Sequence, residues 1–197
     1  MNVEKKLSIL TRQSVDNFWW CVNKINSPFT VENELMVSKI LSLRALELPI
    51  EKALPTRAEL KRSRIPSVAV GLVLRNAGDE LRHAEVLDNL SVRFKSKEKQ
   101  NVIREARQVI DRWNEELEVN NPYLASYNLE AGVLYPMLST LVEVVPRRTH
   151  LKAVIRDEGV HIATNAIISF GVYKEQNKAR LRELVKDTND WIYSSTL

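Results

Sequence analysis

The chain has 197 residues, 29 Lys and Arg against 25 Asp and Glu for a formal charge of +4, and one cysteine. This length suits a single domain spanning 1–197 rather than two with separate cores, and five Gly with seven Pro argue against disorder and against a sandwich of many short strands. The charge is mildly basic, in short clusters (Lys61, Arg62, Arg64; Arg147, Arg148, Lys152) that read as solvated helix ends, so no nucleic-acid partner is expected.

The opening MNVEKKLSIL has no signal core, and no apolar run approaches the roughly 18 to 20 residues that would span a bilayer. Cys21 has no partner for an internal disulfide, which predicts a reducing, cytoplasmic location.

In chain order, apolar periodicity predicts helices throughout. The first covers about 4–25 and carries Phe18, Trp19 and Trp20. Ser27-Pro28 then pairs a favoured cap with a proline at the first helical position, predicting a segment over 28–48 that ends against Pro49. A second segment covers 65–94. The stretch from 95 to 120 keeps a helical period, with Val102, Ala106, Val109, Ile110 and Trp113 on one side. Asn121-Pro122 opens a third segment, 122–145, that stops before Pro146; a fourth covers 148–175, and a last helix covers 177–193. Short connections join segments one to two and three to four, while a long crossover joins two to three. That is the plan of an all-α bundle of two antiparallel hairpins, with extra helices at both ends.

Two of the three histidines follow a glutamate by three residues: Glu80 and His83 in segment two, Glu158 and His161 in segment four. At that spacing on a helix the carboxylate and the imidazole project from one face. The face is the apolar one: Leu151, Val154, Glu158, His161, Asn165, Ile168 and Val172 step by three and four. Buried groups of this kind must be neutralised together, and a pair of divalent cations does so. Carboxylate oxygens with imidazole nitrogens suit iron or manganese.

Segment three adds one acid, Glu130, on the stripe Tyr123, Tyr127, Leu134, Met137, Leu141, and lies 28 residues before Glu158. Segment one leaves its acid open among Glu34, Glu47 and Glu51. Glu34 is preferred, because counting from Pro28 puts it in about the same layer as Glu130, whereas Glu47 falls near the turn if Pro49 ends the helix.

These residues resemble those of the ferritin-like di-iron carboxylate proteins, in which two helices each give a Glu and two others each give Glu-x-x-His. The resemblance covers 28–175. It implies a ferritin-like four-helix bundle in which Glu34, Glu80, His83, Glu130, Glu158 and His161 hold two iron ions, with manganese also accommodated. Two such motifs are more similar to the oxygen-activating members and to rubrerythrins than to iron-storage ferritins.

The implied function is an oxidoreductase that uses O2 and an external electron donor to hydroxylate, desaturate or similarly oxidise a small apolar substrate, and a homodimer is compatible with it. The alternatives are a ferroxidase or peroxide-scavenging protein of the rubrerythrin kind, and a metal-free helical interaction module. Two departures narrow this. The place four residues after His83, a radical tyrosine in the small subunit of ribonucleotide reductase, is Leu87 here, and the chain has no Cys-x-x-Cys for a rubredoxin-like iron.

Around the expected site, Asn76 and Asn165 lie one turn from motif residues and suit hydrogen bonding to ligands. Tyr127, one turn before Glu130, is the tyrosine placed for a catalytic part, and otherwise completes the core as Tyr135 and Tyr173 do. Ala84, Gly132, Val133, Met137, Ala163 and Ala166 are the expected substrate lining. His150, Cys21 and Trp19-Trp20 read as ordinary packing or surface positions.

Overall fold

The computed structural model describes residues 3–16, 28–54, 65–96, 99–119, 121–145, 149–172 and 178–195. The readings made for Phe18, Trp19, Trp20, Cys21, Lys61, Arg62, Arg64, Arg147, Arg148 and Tyr173 lie outside them. The helices are α1 (Val3–Asp16), α2 (Glu34–Ser42), a 3-10 turn (Arg44–Leu46), α3 (Glu47–Ala53), α4 (Ser67–Arg93), α5 (Lys99–Val119), α6 (Pro122–Leu129), a π-helical turn (Glu130–Leu134), α7 (Tyr135–Val144), α8 (Thr149–Val172) and α9 (Lys178–Tyr193). Among the described residues the fold is all-helical, apart from one isolated parallel bridge, Phe29 to Phe94.

That bridge corrects the first predicted boundary. Residues 28–33 are not helical. The Phe29 amide donates to the Arg93 carbonyl and its own carbonyl accepts from the Lys95 amide, both at 3.1 Å, while its ring lies 5.5 Å from that of Phe94. The helix begins only at Glu34, because the Asn33 side chain accepts from the Met36 amide at 3.2 Å and supplies the cap.

Nor does Pro49 end the run. A 3-10 turn breaks it at Arg44–Leu46, and a new helix starts at Glu47, so Pro49 sits in a first turn where a missing amide is harmless. Segment three starts as expected: Asn121 Oδ1 accepts from the Tyr123 and Leu124 amides at 3.0 and 3.4 Å, with Pro122 leading the helix. It is not one regular helix, however, since a π turn separates α6 from α7 just before Pro136.

Pairings fix the directions. Phe29 beside Phe94 sets the α2–α3 run antiparallel to α4. Glu80 facing His161 and His83 facing Glu158 set α4 antiparallel to α8. Asn165 on Glu130 and Phe170 on Tyr127 set α8 antiparallel to α6. α1 covers α4 and α8, burying Leu7 and Leu10, and α5 covers α2, α3 and α6.

α9 closes over α2, α5, α6 and the π turn. The buried Lys39 Nζ holds its C-terminal end, donating to the Trp191 carbonyl at 2.9 Å and to Ser194 O and Oγ at 3.1 and 2.7 Å. Trp113 is fully buried beneath α9, its Nε1–H on Thr188 Oγ1 at 3.1 Å.

Candidate metal centre

α4 and α8 are the two long uninterrupted helices of the interior, 27 and 24 residues. Regular geometry is what keeps each Glu and His, three apart, on one face. Where the two helices cross, one ligand atom from each of Glu80, His83, Glu158 and His161 lies within 4.8 Å of the others, and all four residues are buried. Each imidazole faces the acid of the opposite helix: His83 Nδ1 is 2.8 Å from Glu158 Oε1, and His161 Nδ1 is 2.9 Å from Glu80 Oε1. The rings stack at 5.4 Å.

The other imidazole nitrogens turn outward to a second pair of buried acids. His83 Nε2 lies 3.5 Å from Asp157 Oδ2 and His161 Nε2 lies 3.5 Å from Asp79 Oδ2. Such a carboxylate behind an imidazole fixes its tautomer and aims Nδ1 at the centre. Arg82 pairs with Asp79 and comes within 3.9 Å of Asp157, and Arg75 comes within 3.9 Å of Asp79. Asp79 and Asp157 were missed in the sequence, although the signal was there: both motifs read Asp-Glu-x-x-His.

Two more buried acids stand near the cluster. The one from the first run is Glu47, fully buried, with Oε2 4.0 Å from His83 Nδ1. Glu34, preferred in the sequence, instead stands half-buried in the first turn of α2, and Glu51 is half-buried one turn beyond Glu47. The run starts at Glu34 rather than Pro28 and is broken by the 3-10 turn at Arg44–Leu46, so a count from Pro28 along one regular helix misplaces the layer.

From the third run Glu130 is fully buried at the head of the π turn, with both carboxylate oxygens accepting from Asn165 Nδ2, at 3.0 and 2.9 Å. Asn165 thus holds both oxygens of this acid. Asn76 is buried one turn before Glu80, its Oδ1 unpaired with any described group. The Tyr127 ring meets exposed Phe170 edge-on at 5.5 Å. Of the expected lining, Gly132 faces α9, where a Cβ would come within 2.7 Å of Val185, and Ala84 lines an outer cleft shared with Leu48 and Ile110.

The electrostatics follow from crowding these groups in the core. Burial pushes the carboxyls of Glu47 and Glu130 well above the usual range, and the neighbouring Glu158 and Glu80 charges push them further. Burial also works to raise Glu80, but His161 and His83 overcome it and hold that carboxyl far below the ordinary range. Burial opposes charge on His83 and His161; even so the surrounding carboxylates (Asp157, Glu158 and Glu80 for one, Glu80, Asp79 and Glu158 for the other) raise both imidazoles.

The oxygens of Glu47, Glu80 and Glu158, both ring nitrogens of His83 and Nδ1 of His161 have no well-aligned hydrogen bond among the described residues. Close charges without satisfied hydrogen bonds are costly in a core, and protons on this set are a poor substitute for cations. The donors present, oxygens and imidazole nitrogens with open valences, therefore fit a metal ion. Compared with family models, curated proteins and solved structures, the chain shows no significant match to any of them. No described helix is long and apolar enough to cross a membrane.

Proposed function

We propose that this protein is a di-iron carboxylate oxidoreductase of ferritin-like architecture. The observation that carries the reading is the convergence of two Glu-x-x-His motifs, buried and antiparallel, on one point. Glu80, His83, Glu158 and His161 would hold the metals together with Glu47 and Glu130. Four carboxylates balance two divalent ions, which leaves the loaded core neutral and tolerable. Two ferrous ions would supply the electrons with which O2 is reduced, and manganese suits the same donors.

The chain itself does the rest. Asp79 and Asp157 hold His161 and His83 in the tautomer that presents Nδ1, Asn165 orients Glu130, and the packed apolar residues one turn on, Leu87 and Val154, exclude bulk water. An external donor would return the electrons, and an apolar substrate would be oxidised against this apolar side.

A second reading, peroxide scavenging or iron oxidation of the rubrerythrin kind, is favoured by one observation. Clefts of about 670 Å³, between α3, α5 and the start of α6, and about 570 Å³, between α3, α4 and α5, have none of the four clustered residues in their linings, and reactants as small as peroxide need no such cleft. Anaerobic Fe(II) titration should show uptake near two per chain; no uptake would overturn both readings and leave a metal-free interaction module. Rapid peroxide consumption without an organic product would decide for the second.

A further inference from the structure

The π turn Glu130–Leu134 is an anomaly that requires a partner. In it the Tyr135 amide bonds back to the Glu130 carbonyl, five residues away, instead of four. The next residue, Pro136, has no amide to give the Gly132 carbonyl four residues earlier. That carbonyl is not left bare: Asn189 Nδ2, reaching across from α9, donates to it at 2.8 Å. α9 also packs close against Gly132, where a Cβ would lie 2.7 Å from Val185. α9 is itself fixed on either side of Asn189, by Trp113 on Thr188 at 3.1 Å and by Trp191 Nε1 on Glu105 at 2.9 Å.

We propose that Asn189 is a positioning residue for the metal centre: by holding the Gly132 carbonyl it keeps the π turn open, and the open turn presents Glu130 to Glu80, Glu158 and His161. The inference rests on the metal-centre reading. Within it, α9, remote in sequence and supplying no proposed ligand, sets the reach of the fourth acid. An α-helical turn in place of the π turn would rotate Glu130 relative to one of its flanking turns and away from the position that Asn165 now shares.

Anaerobic Co(II) titration, read both as uptake and as the visible ligand-field spectrum, tests this on the full chain beside thermal unfolding. Asn189→Leu should lower the affinity for at least one of the two ions by about 10- to 100-fold and change the spectrum. Pro136→Ala restores an amide that can bond Gly132 in the ordinary helical register. The double variant should therefore recover the thermal midpoint that Asn189→Leu loses, without recovering the affinity or the spectrum.

Recovery of affinity together with stability would overturn the proposal, because Asn189 would then be only one more packing contact. Wild-type affinity in either variant would overturn it as well, while leaving the metal centre standing. A wild-type chain that takes up no metal would remove the metal-centre reading and this inference with it.

Discussion

The helices that carry histidines and the helices that carry single acids meet at one cluster but are built differently. α4 and α8 are regular from end to end through the site. The acid-bearing runs are both interrupted at the acid: a tightened 3-10 turn immediately precedes Glu47, and a widened π turn starts at Glu130. Each has a proline close behind, Pro49 and Pro136. A Glu-x-x-His pair takes its geometry from helical periodicity, so any break would separate the pair. A lone acid has no such internal ruler, and over- or under-winding of its helix brings it into phase with the others.

The largest effect should come from removing an acid carried by a regular helix. Glu158→Ala removes an acid that faces His83 at 2.8 Å, and metal analysis should show the loss of at least one ion per chain; unchanged content would sink the assignment of this cluster. Next, Glu47→Ala should weaken metal uptake by about tenfold or more, whereas Glu34→Ala, which lies outside the cluster, should leave the titration unchanged. The reverse result would mean that the 3-10 turn does not set the phase of the first run.

The metal-free chain should also lose stability as pH rises. Glu47 and Glu130 titrate above their ordinary value of 4.5 and His83 and His161 above theirs of 6.5. The folded state therefore holds more protons than the unfolded state from about pH 4.5 upward, and that stabilisation is lost through each raised titration. Glu80 acts oppositely: its lowered carboxyl contributes stability above 4.5 that fades in acid.

Bound metal requires these groups deprotonated, so the gain in melting temperature on adding metal should grow with pH. Scanning calorimetry with and without metal checks both slopes, and parallel slopes would contradict the cluster's charge balance. The smallest change should follow Asn165→Ala, which removes the donor on both oxygens of Glu130 but leaves the acid. About tenfold in affinity by titration is expected, and less than Glu130→Ala.

This division also explains what the sequence could disclose. Glu80, His83, Glu158 and His161 were readable because a repeated spacing on an apolar stripe survives any uncertainty in where the helix begins. Glu130 was readable as the one acid on its stripe. Glu47 was not, because its place was judged by counting turns from Pro28 along a regular helix, and the chain there starts at Asn33 and breaks at Arg44–Leu46.

The order and rough bounds of the helices followed from apolar periodicity and from the Asn121-Pro122 cap, but the π turn did not, since its stabiliser sits on α9, 57 residues from Gly132. Pro136 within segment three was the local hint. Asp79 and Asp157 could have been found by extending the motif one residue backward.

The crossed pairing, each imidazole meeting the other helix's acid, bears on how the chain reaches its native state. Glu80 and Glu158 are 78 residues apart, so neither helix alone offers a site, and the loop between them must close before a metal can be gripped from both sides. Metal would then act as a late clasp on the assembled bundle, stabilising it by mass action. Stopped-flow traces should show a chelator speeding unfolding far more than it slows folding, and a comparable slowing of folding would place the crossing of α4 and α8 early instead.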